Sequence, residues 1–378
     1  MNANIEGLIA AGHSIKVLAM NTNKYFVPLK EIPEEYRQKT GIELIYIDLS
    51  VKPLAALMNL FSTSSLHVDR FISREFDNKL ADVLKNEEFN IVQLEMLYMT
   101  PYIKTIRKHS KAKIILRSHN IEHLIWKRIS EKTNNPVKKF YLEYLTRKLK
   151  NYELTAMDLY DGIATISKQD KKYYLEKGCR IPVTDLSFGV SSEKYILSND
   201  YEFPSLFHLG SMDWIPNAEG IQWFLEMVWP LVHLKFPELK LFLAGRNMPE
   251  KLKKMQIENV EVLGNVSSAM EFINSKAIMI VPLFSGSGIR IKIIEGMALG
   301  KAIISTEIGA EGIDYKNEEN ILIANTPDEF LSAIEKCTAD RVFCDTLGRN
   351  ARKLIEEKHN MPDIIRKLED FYRQVLQS

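Results

Sequence analysis

Cysteine is scarce: three residues in 378, Cys179, Cys337 and Cys344. Their spacing has no paired zinc-ligand pattern and builds no cross-linked framework, so the thiols are expected to be reduced and the protein cytoplasmic. Long apolar runs are also missing: none approaches the ~18 residues that span a bilayer as a helix. No cleavable leader is visible. Any membrane association is therefore expected to be peripheral, at the inner face. Acidic residues nowhere fall into a metal-ligand spacing, which predicts no metal, and no cofactor or nucleic-acid partner is expected. Internal repeats and low-complexity tracts are absent. An excess charge of one sign is nearly absent too, at a net +1. That balance hides an asymmetry, with seven surplus basic residues in 1–190 and six surplus acidic ones in 191–378. A basic first half suits an anionic acceptor or membrane surface, and attraction between the two halves explains it nearly as well.

What is present is an ordinary globular composition, 46% hydrophobic and 26% charged, in a chain long enough for two cores. Strand-like and helix-like stretches alternate, which predicts α/β domains with parallel sheets and ligand chemistry at the strand C-termini. Helices are expected over Met1–Ala11, Leu54–Phe61, Asp69–Lys85, Pro101–His109, Pro136–Tyr160 and Pro362–Leu376. Strands are expected over Ser14–Met20, Glu43–Leu49, Asn90–Glu95, Lys113–Arg117, Gly162–Ser167, Leu206–Leu209, Leu239–Ala244 and Val260–Leu263. In Pro136–Tyr160, the spacing of Phe140, Tyr144, Leu145, Leu149 and Tyr152 predicts a buried face opposite a cationic one. Such a helix can lie on anionic lipid, although a core-facing helix with a solvated basic side accounts for it better. A domain of this type normally opens on a strand and a glycine loop, whereas this chain opens on a helix. The first strand of the N-terminal domain is therefore expected to be missing.

The most informative stretch is Ala277–Thr306, AIMIVPLFSGSGIRIKIIEGMALGKAIIST. It reads as a buried strand to Phe284, a loop of small residues, a helix over Ile289–Leu299 and a second strand from Ala302. Ile291, Ile294, Met297 and Ala298 are expected on the helix's buried side, and Gly300 stops it. Gly286 and Gly288 let a ligand approach the backbone, and a helix N-terminus offers unpartnered N–H groups to an anion. Arg290 and Lys292 place two cations where the helix dipole favours acids, an arrangement that suits a diphosphate. Glu295 lies too deep to cap the helix and can accept two hydrogen bonds from a sugar diol. A plain alternative is that Arg290, Lys292 and Glu295 are solvated and pair with one another.

The string PLFSGSGIRIKIIEGMALGKAIISTEIGAEGI closely resembles the signature of the retaining GT-B glycosyltransferases of family four, the glycosyl transferases group 1. The resemblance implies two Rossmann-like domains facing each other across a cleft. Their extents would be 1–188 on the acceptor side, 189–361 for the nucleotide sugar, and 362–378 as a helix crossing back. It gives Glu295 the role of ribose ligand and Arg290 and Lys292 that of diphosphate ligands. Ser287 occupies the place of the family's usual first acidic residue, a departure. The amides of Gly286, Ser287, Gly288 and Ile289 remain available to the donor. RSHNIEHL resembles the family's cleft motif and puts His119 on its histidine, facing the donor sugar; Glu122 is a weaker candidate, equally explained as a first-turn acid. HLGSMDWIPNAEGIQWFL resembles the first loop and helix of the donor domain, with Gly210 beside the donor but without the Arg and Lys many relatives place there. Asn265 and Val266 fall in the loop that lies beside the base in relatives, and a connecting turn is the alternative.

The resemblance implies transfer of a sugar from a nucleotide-diphosphate donor to a saccharide or lipid-linked acceptor, as in surface polysaccharide or lipopolysaccharide assembly. Two other readings stay open. One is a nucleotide-sugar epimerase or a phosphorylase on the same fold; the other is a non-catalytic or truncated sugar-nucleotide-binding subunit.

Overall fold

The computed structural model describes residues 2–50, 59, 62, 64–198, 200–286 and 288–378. They form two compact units, Met1–Ser187 with Pro362–Ser378, and Phe188–Met361. No helix among the described residues is long and apolar enough to cross a membrane.

The first unit opens on the helix Asn2–Ala10, which ends at Gly12 with φ of +94°. Strand β1 (Leu18–Thr22) starts four residues later than the pattern predicts. Its only partner among the described residues, β2 (Glu43–Ile47), runs parallel to it with Glu43 opposite Leu18. A separate parallel sheet follows in the order β3 (Ile91–Glu95), β4 (Lys113–Ser118), β5 (Gly162–Thr165), β6 (Val183–Asp185). Its core gathers Val68, Leu94, Ile106, Ile114, Leu116, Leu149, Ile163 and Tyr174.

The expected helix Leu54–Phe61 lies mostly outside the described residues, and two others depart from the sequence reading. Asp69–Lys85 is interrupted: a short helix Leu66–Asp69 ends, and Ser73 caps a new one, Arg74–Asn86, by accepting the Phe76 N–H at 3.3 Å. Pro136–Ala156 starts where proline suits the first helical position, with the Asn135 side chain accepting the Lys138 N–H at 3.0 Å. Leu145 and Leu149 are buried as expected, but Phe140 is 75% exposed and Leu142 and Thr146 take the inner face instead. The C-terminal helix Met361–Gln377 buries Ile365, Leu368, Phe371 and Val375. It packs so closely on β5 that a Cβ at Gly162 would stand 2.8 Å from Val375 and 2.9 Å from Phe371.

The second unit is a single parallel sheet of β7 (Glu202–Leu209), β8 (Lys240–Ala244), β9 (Val260–Gly264), β10 (Lys276–Val281), β11 (Ala302–Ser305) and β12 (Leu322–Ile323). Their order, β12-β11-β10-β7-β8-β9, is that of a doubly wound fold. Alternate residues feed two cores. Leu206, Leu241, Ile278, Ile280 and Ile304 point to one side, and Phe207, Phe242, Met279, Val281 and Ile303 to the other. Burial on both faces is why the sequence of β10 is apolar without interruption. The following helix is Ile291–Ala298, which buries Ile293, Ile294, Met297 and Ala298. Ile291, expected inward, is 46% exposed at the first helical position, with no preceding turn to cover it.

Candidate functional site

In an open parallel sheet, ligands bind beyond the carboxyl ends of the strands, where the strand order reverses. In Phe188–Met361 that point lies between β7 and β10, adjacent in the sheet though separated by two strands in sequence. The loop after β7 runs from Gly210 into the helix Ile215–Trp223, and the loop after β10 runs from Pro282 to Arg290. The sequence-predicted residues Gly210, Gly286, Gly288, Ile289, Arg290, Lys292 and Glu295 all belong to these two loops and the helix after β10. Ser287 lies outside the described residues.

Lys292 is central to the geometry. Its Nζ donates to Asn217 Oδ1 at 2.7 Å and stands 3.4 Å from His208 Nε2. His208 Nδ1 is 2.9 Å from the Ile280 carbonyl oxygen, which can only accept, so that nitrogen carries the proton and Nε2 turns a lone pair to the lysine. Asn217 is held in turn by its Nδ2 donating to the Ser211 carbonyl at 2.8 Å. Gly210 permits this packing, since a Cβ there would stand 2.7 Å from Asn217 Nδ2 and 2.9 Å from His208 Nε2. The lysine stem keeps some surface, but among the described residues its amine meets the neutral acceptors Asn217 and His208 and pairs with no carboxylate. Desolvation first, and repulsion by Arg290 second, pull its pKa down to about 7. Burial, with Lys292 adding to it, holds His208 well below the ordinary histidine range, hence neutral.

Arg290 caps the helix in extended backbone, φ −85° and ψ 97°, and is only 5% exposed. Its Nη1 donates to the Gly288 carbonyl at 2.6 Å, and its guanidinium lies over the Trp214 ring, 5.2 Å from the centroid. Gly286, at φ +108°, fits beneath: a Cβ would meet Arg290 Nη2 at 2.9 Å and Trp214 at 3.1 Å. Two basic side chains are thus brought to one helix N-terminus, Arg290 buried and Lys292 bonded to Asn217. This geometry departs from the solvated, mutually paired alternative.

Glu295 is half-buried, and the Tyr195 hydroxyl donates to it. Burial raises its carboxyl above the usual range, and the tyrosine hydrogen bond offsets part of that rise. Ile289 rests on Gly312 of the loop after β11, where a Cβ would approach it to 2.8 Å. Beyond β9, Asn265 is exposed, while Val266 is partly buried against one core cluster.

His119 belongs to the first unit. It follows β4, with Nε2 2.6 Å from Oε2 of Glu95, the last residue of β3. Burial would raise the Glu95 carboxyl, but the His119 hydrogen bond and the Arg117 charge bring it below the ordinary range. Glu122 is buried at the start of the helix Glu122–Glu131. Its Oε2 accepts the Tyr98 hydroxyl at 2.7 Å, and burial pushes its carboxyl up to about 7.

Sequence reasoning missed His208, Tyr195, Trp214 as a cation partner, and Glu95. The first three are isolated residues in β7, in the segment before it and in a loop after it, and only the parallel pairing of β7 with β10 brings them to Lys292, Glu295 and Arg290. The one signal available was the length of the apolar strand preceding each loop, which marks strand C-termini.

Residues 203–340 match the sequence model of the family described as Glycosyl transferases group 1, a span that holds Gly210, Asn265, Val266, Arg290, Lys292 and Glu295. Over 368 residues the chain is 24% identical to an uncharacterized 44.6 kDa protein in cps region of Klebsiella pneumoniae, covering 94% of this chain and 90% of that one. Among solved structures it is similar to sucrose-phosphate synthase from Thermosynechococcus elongatus, with a TM-score of 0.69 at 16% identity, over 98% of this chain and 91% of that one. A glycosyltransferase from Rickettsia africae gives 0.65 at 16%, over 100% and 95%. Alr3699/HepE of Anabaena, solved with UDP and glucose, gives 0.62 at 11%, over 98% and 95%. At these identities the structural likeness establishes the fold, the α/β architecture with parallel sheets of GT-B glycosyltransferases.

Proposed function

We propose that this glycosyltransferase-like chain moves a sugar from a nucleotide-diphosphate donor to an acceptor hydroxyl with retention of anomeric configuration. Its setting is surface polysaccharide or lipopolysaccharide assembly, at the cytoplasmic face and in peripheral contact with the membrane. The relative in a cps region supports the polysaccharide part of that setting, and the group 1 match supports the transferase. The observation that carries the reading is Lys292, a largely desolvated amine beside Arg290 at the point where the strand order reverses, held among the described residues by the neutral Asn217 and His208. Such a pair is costly until an anion arrives and favourable once one does.

The residues then divide the work. Amides of the glycine loop and the helix N-terminus take the phosphate oxygens, Arg290 and Lys292 balance the charge that develops as the diphosphate leaves, and Glu295 holds the ribose diol. With protein cations in that role, donor and acceptor suffice without a metal ion, and chelator treatment is expected to leave turnover intact. His119, held by Glu95, takes the part that the resemblance of RSHNIEHL to the family's motif gives its histidine. His119→Ala should therefore lower turnover by about a hundredfold while donor affinity changes less than about threefold; equal activity would demote it to a structural histidine.

Proton linkage gives an independent check. Bound diphosphate raises the Lys292 pKa from about 7 toward its ordinary value, so binding takes up a proton wherever the free amine is neutral. Affinity should fall above pH 7, by at most about tenfold per unit, and level off below it as far as this group is concerned. Calorimetry in two buffers of different ionisation enthalpy should show uptake approaching one proton at the alkaline end, absent in Lys292→Met.

The decisive experiment pairs thermal-shift screening of UDP, GDP, ADP and their sugars with NMR of the product anomer. A shift with one base, followed by transfer with retention, is expected. Release of free epimer without acceptor would assign an epimerase, and binding with no transfer to any acceptor an assembly subunit.

A further inference from the structure

We propose that the tip of a helical hairpin in the first unit docks on an anionic lipid surface. The helices Glu122–Glu131 and Pro136–Ala156 are antiparallel: the Glu122 and His123 N–H groups both donate to the Glu153 carboxylate, at 3.0 and 3.1 Å. The short connection between them therefore projects at the end remote from Glu153.

That end combines two features that a solvated helix would not. Val137 and Phe140, one helical turn apart, are 79% and 75% exposed, and Ile129 on the first helix is 42% exposed. The core beneath is filled without them by Leu142, Leu145 and Leu149. Around the same tip, residues 127–140 carry Lys127, Arg128, Lys132, Lys138 and Lys139 against the single acid Glu131. Exposed phenyl and isopropyl groups within a ring of cations match the boundary of an anionic bilayer, where apolar groups enter the headgroup layer and cations meet lipid phosphates. Nucleic acid would satisfy the cations and leave the apolar groups in water; a second copy of the basic tip would bring like charges together. Charge complementarity therefore selects anionic lipid. The inference deepens the proposed function, on which it rests for the membrane as the place of work, and it names the surface that does the docking.

The test is co-sedimentation of the full chain with vesicles of phosphatidylcholine alone and of phosphatidylcholine mixed with phosphatidylglycerol. Binding is expected only with the anionic lipid and should weaken with added salt. The double variant Lys138→Glu/Lys139→Glu should lose about twentyfold or more in vesicle affinity, since each cation near such a surface contributes about fivefold. Phe140→Ser should lose about tenfold, and its exposure leaves the fold unaffected. Both variants keep the nucleotide thermal shift of the parent chain, so failure here and failure of the donor-site reading remain distinguishable. Equal binding to neutral vesicles, or variants that bind as the parent does, would overturn the proposal. So would dimerisation that Phe140→Ser abolishes in a chain that ignores vesicles, which would give the patch to a second copy.

Discussion

Lys292→Met is expected to lower kcat/KM by about a hundred- to a thousandfold, the usual cost of removing one preorganised charge from the leaving-group side of a transfer reaction. The unliganded protein should nevertheless melt close to the parent temperature. The substitution deletes an amine whose pKa burial and Arg290 have pulled down to about 7, and this offsets the loss of the 2.7 Å bond to Asn217. Stabilisation by nucleoside diphosphate should disappear at the same time. The three readouts together separate a ligand-binding lysine from a structural one, because a structural lysine would lose melting temperature and keep the ligand response. Unchanged rates with a lowered melting temperature would reverse the assignment.

Glu295→Ala is expected to weaken nucleotide binding by about a hundredfold or more, as two charge-assisted hydrogen bonds to a diol are lost. Calorimetry with a nucleoside diphosphate and its 2′-deoxy form supplies the sharper version. The parent chain should discriminate strongly between them; the variant should bind both equally weakly, a double-mutant cycle in which one partner is the ligand hydroxyl. Tyr195→Phe should fall between the two. It leaves the carboxylate in place and removes the hydroxyl that orients it. Retained discrimination in Glu295→Ala would remove this residue from the ribose site.

Much of this arrangement was legible in the chain, for identifiable reasons. Ala302–Ile304 and Ile114–Leu116 are short apolar runs within their strands, and a parallel strand buried on both faces leaves that signature. Gly300 marks the end of the preceding helix because it adopts φ of +65°. The helix start was less legible: Arg290 carries nothing to distinguish a capping residue in extended backbone from a first helical one. Phe140 shows the limit of periodicity. Its spacing from Tyr144 and Leu145 is compatible with a buried face, yet an equal spacing serves an exposed one, and only the core supplied by Leu142, Leu145 and Leu149 decides. His208 and Tyr195 were beyond reach because each gains its role from a neighbour 84 or 100 residues away in the chain.

The placement of the last helix bears on how the molecule is made. Phe188–Met361 is one continuous segment, able to fold as soon as it clears the ribosome, whereas the unit beginning near Met1 also requires residues from Pro362 onward. Translation thus delivers the earlier-coded half first and finishes it last, with Gly162 and its neighbours waiting for Phe371 and Val375 to cover them. During that interval a strip of apolar surface along β5 stays open to water, a natural point for a chaperone to hold the nascent polypeptide.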